Sequence, residues 1–428
     1  MRLFLIFTIH CSLFLSAAHA DQPDSPAMPE LSLRDGLTRV QAYSPDLKAE
    51  KAKESEAESA VDIAKSGYYP KVEAQAIDST GFEGSTSYLG VGGLMGSPFR
   101  SGLGAGVVVT QTLYDFGRTS SEAESSRHQA ERQKQNTELE RYRVSEEFVR
   151  AYFSCVMNRS QKETWMELET EASLIKQEVS HFVQTGQRSV VDRYLAETQF
   201  QEARTAIADY ETREEESKKA LVLLMGPGSK GPSDFRCPSL SNLSGFGLIS
   251  SGAVHPLIVR AEADLQSVQA QKEGAERRNL PLLVGMGSLG YLQDTHLVSR
   301  ADYSLGVGIS VPIFEGFRIK EEINQASAKV LEKDFALQAS RELLDRVNQS
   351  YEEIIRSGEN RLSHLGPELA LARKAFDLAK ERYFSFQGEL IDVRTALTNL
   401  TRVLIDENTT RAKYLIAKES KEVLNGAK

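Results

Sequence analysis

Gly285, Gly287 and Gly290 spell G-x-G-x-x-G, the spacing that cradles a dinucleotide pyrophosphate where a strand turns into a helix. Here the glycines run on through "YLQDTHLVSRADY" into another alternating strand, so no phosphate cradle is expected. The chain has no HExxH, no Walker loop and no GxSxG, and its seven histidines show no metal-ligand spacing. No cofactor, metal or catalytic residue is expected. What remains is charge at two turns. Gln187, Arg188, Asp192 and Arg193 surround one; Tyr383, Glu389, Asp392 and Arg394 surround the other. Asp192 in "SVVDRYLAE" and Asp392 in "ELIDVRTAL" stand 200 positions apart. Such sets can hydrogen-bond, attract cations and form ion pairs, for instance Arg188 or Arg394 with Asp192 or Glu389, at about 1 kcal/mol per exposed pair. The plainer alternative is solvated turn charge.

The N-terminus bounds where these turns reside. Arg2 precedes an apolar run from Leu3 to Leu15, then "SAAHA" offers Ala18 and Ala20 as a cleavage site before Asp21. A basic start, an apolar segment too short to span and small residues at the cut make a secretory leader over 1–20. Cys11, preceded by His10, is a poor lipidation site, so no lipid anchor is expected. Cys155 and Cys237 match neither a zinc site nor a small disulfide framework. They are expected as a buried helix thiol and a linker thiol, with a single disulfide as the alternative. Charged residues are 26% and no run of about 18 apolar residues occurs, which excludes a membrane-spanning helix in the mature chain. A net charge of -9 argues against nucleic acid and anionic membrane surfaces as partners.

The elements that position the turns come in duplicate. "LYDFGR" (113–118) and "IFEGFR" (313–318) stand 200 apart, and "GYYPKVEAQ" (67–75) is echoed by "RNLPLLVGM" (278–286). The expected organisation is a first repeat over 21–225, a turn-rich linker over 226–252, a second repeat over 253–424 and a tail over 425–428. Alternating apolar residues predict strands at about 70–81, 102–114, 281–292 and 303–313. Their length suits a tilted membrane strand, and equally a half-buried soluble hairpin. Between Gly117 and Gly226 there is no proline, and Gly186 is the only glycine. Residues 118–185 therefore read as one helix of roughly 100 Å, turning near 186, with a matching hairpin turning near 388. A further helix is expected over about 32–66. Leu390, Val393, Leu397, Leu400 and Leu404 follow heptad spacing, and Phe148, Val149, Tyr152, Phe153 and Val156 form a stripe. Both are read as packing, not ligand sites. Two shorter rods end to end would flank each long one, and the linker and tail would fall at the seam between them.

Four antiparallel strands cannot close on themselves, and membrane barrels begin at eight. In lipid an open edge leaves backbone groups unpaired, so membrane strands would demand several copies, at least three if the lumen is open.

The duplication, the "YDFGR" and "FEGFR" junctions and the "GQRSVVD" and "QGELIDV" turns resemble the TolC family of outer-membrane efflux proteins, from about residue 30 to the mid-420s. The resemblance implies a mainly α fold with membrane β. Tandem helix-strand-strand-helix repeats would form a trimeric, twelve-stranded β-barrel continued by a long periplasmic α-helical coiled-coil barrel. It implies an exit duct in the outer membrane of a Gram-negative bacterium, serving drug efflux or type I protein secretion; the poor lipidation site favours the secretion type. Its partners would be two further copies of itself, outer-membrane lipid, a periplasmic adaptor of the membrane-fusion kind and an inner-membrane transporter of the ABC or RND type. Tyr383 aligns with the gating tyrosine, Asp392 with the first ring aspartate and Asp192 with its acceptor on the partner helix. Glu389, Arg394, Arg188 and Arg193 complete the tip. Two departures stand out: the second ring aspartate is Thr395, and the turn glycine is displaced from Phe386 to Gly388. Tyr114, Gly117, Arg118, Phe314, Gly316 and Arg318 would mark the exit from lipid, with both arginines as headgroup-level anchors or ordinary first-turn residues. The competing reading, a periplasmic coiled-coil adaptor or scaffold without a channel, does not explain two pairs of alternating strands in duplicate.

Overall fold

The computed structural model describes residues 29–79, 102–226, 235–240, 243, 254–294 and 297–425. The expected leader, positions 80 and 81, most of the linker and the end of the tail lie outside the described residues. The order is α1 (Leu33–Tyr43), α2 (Pro45–Lys65), β1 (Lys71–Ser79), β2 (Gly102–Tyr114), α3 (Arg118–Gln184), α4 (Val190–Met225), α5 (Pro256–Glu276), β3 (Leu282–Asp294), β4 (Leu297–Ser310), α6 (Arg318–Phe384) and α7 (Leu390–Leu424). Short 3-10 turns, Ser66–Tyr68 and Arg277–Asn279, end α2 and α5.

Two boundaries differ from the expectation. The helix over 32–66 is two helices, because Pro45 forces Ser44 out of the helical backbone (φ -41°, ψ 117°). Ser44 Oγ then accepts from Leu47 N at 3.2 Å and caps the second piece. Strand β4 begins at Leu297 rather than near 303, because pairing with β3 continues past the point where the polar loop interrupts the alternation.

The four strands form one antiparallel sheet in the order β1-β2-β3-β4. Directly paired residues share a face, so the register sorts the side chains. Val72, Val109 and Leu305 lie on one face, joined through Gly287; Ala74, Val107, Leu289 and Tyr303 follow on the same face. The opposite face carries Lys71, Glu73, Gln75, Thr110, Ser288 and Ser304, with the two serine hydroxyls 2.7 Å apart. The apolar face is bare: Leu305 is 91% exposed and Ile309 72%. On the polar face Gly106 lies opposite Gly290, and a Cβ there would come within 2.8 Å of the Gly290 Cα, so the strands cross closely only with glycine.

Both long helices have 67 residues, about 100 Å. Helix α3 packs against α2 and α5 near the sheet and against α4 and α7 toward the far tip; α6 packs against α5 and α7. Helix α6 continues through Pro367, which removes one intrahelical bond, at an exposed position beside Gly366.

Midway along α3 a core gathers Phe148, Val149, Tyr152, Phe153 and Val156 with Leu33, Leu37 and Val40 of α1, Leu221 of α4 and Leu415 of α7. Phe235, Cys237 and Leu240 of the linker join it, and Tyr152 donates to Leu31 O at 3.0 Å. The linker thiol of the sequence reading is corrected here: Cys155 and Cys237 form a disulfide, with Cα atoms 6.1 Å apart. The stripe that buries Cys155 faces the point where the linker crosses α3, a proximity that spacing along the chain does not reveal. The Arg159 guanidinium, itself buried, donates to Cys237 O and to Glu163 Oε1 at 2.8 Å, fixing the same crossing.

Cross-linking positions separated by 82 residues removes about 4.5 kcal/mol of unfolded-chain entropy on the loop-closure estimate. Cys237→Ser is expected to lower the thermal midpoint of the helical signal by several degrees, followed by circular dichroism, and added reductant should bring the parent chain down to the same value.

Candidate functional site

Two places concentrate polar geometry: the collar where strands become helices, and the tips where helices turn. At the first collar Phe116 (φ 56°) and Gly117 (φ 87°) are both left-handed, and at the second Gly316 (φ 62°) and Phe317 (φ 66°) are. The paired left-handed residues carry the chain from strand into helix. Asp115 caps α3, accepting from Gly117 N at 2.9 Å, Thr119 N at 2.7 Å and the Thr119 hydroxyl at 2.5 Å. Burial pushes its carboxyl upward, and these hydrogen bonds more than offset that, so the net shift is downward. No capping role was expected of Asp115; an Asp two positions before the glycine that opens α3 was the available signal.

Arg118, the first residue of α3, is half-buried and spent on backbone carbonyls. Its Nε donates to Arg277 O at 3.0 Å and its Nη2 to Arg278 O at 3.0 Å and to Leu280 O. Arg277 answers with Nη1 on Gly117 O at 2.9 Å and on Ser121 Oγ. The Arg118 guanidinium therefore adds a second partner to Arg277 O and supplies one to the carbonyls of Arg278 and Leu280, just past the end of α5. Arg318 instead reaches Glu322 at 2.8 Å and Glu315, both on its own side of the collar. Tyr114 and Phe116 meet edge to face at 4.7 Å, as Phe314 and Phe317 do at 5.5 Å.

The tips are built alike. Thr185 N and Ser385 N donate to His181 O and Glu381 O, and Gln187 N and Gln387 N to Phe182 O and Arg382 O at 2.8 Å. This closure requires a left-handed residue at one fixed position, Gly186 (φ 73°) in the first tip and Phe386 (φ 63°) in the second. The expectation that the turn glycine shifts to 388 is thereby corrected: the position stays, and phenylalanine adopts it. Phe386 is held by Phe182, with ring centres 5.0 Å apart, and by the Arg188 guanidinium 5.3 Å away, which offsets a backbone cost of about 1–2 kcal/mol. Gly388 packs closely instead, a Cβ there lying 3.3 Å from that of Arg382.

Of the expected tip residues, three converge. Tyr383, fully buried, donates its hydroxyl to Asp192 Oδ2 at 3.1 Å, joining α6 to α4. Arg188 donates to Tyr383 O and Gly388 O, both at 2.9 Å, and lies 4.3 Å over the Tyr383 ring. The anticipated ion pairs of Arg188 or Arg394 with Asp192 or Glu389 are absent among the described residues; carbonyls and a ring face take the guanidinium instead. Arg193 lies over its neighbour Tyr194 at 5.2 Å. Glu389 and Asp392 are exposed at the start of α7, and Arg394 is half-buried. Two contacts between the hairpins went unforeseen, Lys380 with Glu171 and Arg373 with Glu167, each at 2.8 Å. Beneath them Ile175, Val179, Phe376, Leu390, Val393 and Leu397 form the tip core.

The model of the outer membrane efflux protein family matches residues 36–227 and 252–421. The chain belongs to that family. As an outer membrane efflux protein it resides in the outer membrane, extends into the periplasm and belongs with transport channels rather than enzymes. Solved structures with the same fold include CusC, at 16% identity and a TM-score of 0.80 over 94% of each chain. VceC of Vibrio cholerae is 15% identical, with a TM-score of 0.79 over 92% of this chain and 96% of that one. The CmeC channel of Campylobacter jejuni is 18% identical, with a TM-score of 0.77 over 92% and 86%. A comparison with curated protein sequences gave no match.

In this efflux protein, burial first and then the neighbouring Asp192 carboxylate push the Tyr383 phenol upward. Its contribution is therefore complete below the ordinary phenol value of about 10 and is lost only as pH rises beyond it. Tyr383→Phe removes one hydrogen bond of about 1 kcal/mol, so amide exchange at 384–390 is expected to quicken roughly fivefold at neutral pH. The same measurement at the 186 turn should change less.

Proposed function

We propose that the protein is the exit duct of a tripartite export system, a homotrimer that passively conducts substrate from an inner-membrane transporter to the exterior. The observation that carries this reading is the sheet: one face apolar and bare, the other polar, with β1 and β4 as open edges. Hydrocarbon accepts such a face but not the edges, whose backbone groups need partners. Three copies pairing β4 to β1 would close twelve strands around a polar lumen lined by Glu73, Gln75, Ser288 and Ser304. The long helices would then continue the lumen into the periplasm. Exposed Leu331, Phe335, Leu371 and Leu378 on α6 suit contact with the next copy.

The tips serve as the gate. Three Tyr383–Asp192 bonds and three Arg188 clamps, each weak alone, would hold the hairpins inward until an adaptor displaces them. Asp392, exposed at the start of α7, would form a ring of three carboxylates that attracts cations. The partners are a periplasmic adaptor and an ABC or RND-type transporter, and the cargo is protein or small toxic compounds.

Unboiled membrane fractions should carry a band far above the single chain, 47.4 kDa before the expected leader is removed, that collapses to the monomer on heating. In planar bilayers, Asp392→Ala is expected to reduce cation block and Tyr383→Phe to raise open conductance. A water-soluble monomer without conductance would overturn the reading.

A further inference from the structure

The tandem repeat has written one contact into this chain twice, once satisfied and once open. Helices α2 and α5 both end in a 3-10 turn, with Tyr69 N on Ser66 O and Leu280 N on Arg277 O, each at 3.0 Å. A proline follows in both, Pro70 and Pro281, and then a strand. Ser66, Gly67 and Tyr69 thus correspond to Arg277, Arg278 and Leu280, the three residues whose carbonyls Arg118 grips. Arg318 stands 200 positions after Arg118 on an equivalent collar, yet among the described residues its guanidinium pairs only with Glu315 and Glu322.

Side-chain volumes are exchanged across the two versions. Inside the chain the large Arg277 side chain lies over Gly117, where a Cβ would come within 2.9 Å of its Nη1. In the open version the small residue is Ser66 and the large one is Phe317, 68% exposed. Phe317 and Phe314 line a groove of about 330 Å³ with Ile313, itself 96% exposed. On the other part Tyr68 and Tyr69 are 51% and 69% exposed. Sheet order sets β1 and β4 at opposite edges, so these two parts can meet only between copies.

We propose that Arg318 of each copy clasps the carbonyls of Ser66, Gly67 and Tyr69 on the next copy, with Phe317 filling the space that Arg277 fills within the chain. The clasp rests on the trimeric reading above. A lipid phosphate is the weaker occupant of the groove, because Glu315 and Glu322, the latter shared with Arg278 at 2.7 Å, already balance the charge of Arg318 and leave little to draw an anion, whereas carbonyl oxygens need no net charge to accept its hydrogen bonds. The repeat thus makes each junction between copies a variant of the junction within a copy, and the size exchange gives β4 a preference for β1 of another chain.

The test places p-benzoylphenylalanine at Phe317 of the full chain in membranes, with isotopically labelled and unlabelled chains expressed together. Photolysis should give dimer and trimer bands whose cross-linked peptide contains 66–70 of a differently labelled copy. An adduct on 277–281 of the same chain, or on lipid, in material that is still trimeric unboiled would overturn the clasp and leave the duct reading standing. Monomeric unboiled material would remove both. Independently, Ser66→Arg should collide with Phe317 and lower the temperature at which the trimer dissociates on a gel. Adding Phe317→Gly to that variant recreates the internal pairing and should restore the parent temperature; no loss with Ser66→Arg, or no recovery, counts against the proposal.

Discussion

A backbone amide in hydrocarbon has no water to bond with, and that constraint organises this protein. Its sheet offers an apolar face built from Val72, Val107, Val109, Leu289 and Leu305, suited to lipid, but ends in two strands with open edges. A soluble four-stranded sheet would bury such a face against a helix. Here the helices leave the sheet end-on through the left-handed collars, so the face stays bare and both edges stay open. Length, rods and collars follow from that departure.

Rods of about 100 Å need bracing along their length, since a two-helix hairpin buries only one stripe. The brace lies halfway, where α1, α4 and α7 converge on α3 and the linker is tied to it by Cys155–Cys237. Export explains why a disulfide can persist there. Between brace and tip the packing follows the heptad stripe of α7, continued at Val403 rather than Leu404 as the buried position. The tip itself depends on few polar links over a modest core, an arrangement that suits the proposed gate because it could open without unfolding.

Arginine does similar work at both ends of the molecule. Arg118 and Arg188 each close helix-end carbonyls with a planar fork, and Arg188 adds a ring face. Carbonyls at helix ends are unsatisfied by construction, so a guanidinium that reaches them joins two elements without requiring a buried carboxylate. This is why charge counting along the turns anticipated ion pairs that the structure replaces with carbonyl contacts.

Sequence alone determined the elements and their duplication. A glycine- and proline-free run between Gly117 and Gly186 permits one long helix, and period-two alternation pointed to four strands with one greasy face, though β4 starts earlier than its alternation. The positions of Tyr383 and Asp192 were legible through the repeat and the family resemblance. Tertiary structure decided what depends on distant segments meeting: the disulfide across 82 residues, Arg118 on the end of α5, and Lys380 on Glu171. It also decided that Phe386 holds a left-handed turn position, because the closure of α6 fixes that site and Phe182 with Arg188 stabilises the ring there. Local pattern records the period of a helix or strand; which partner a side chain finds is set by how those elements pack, and one-dimensional spacing carries no record of that.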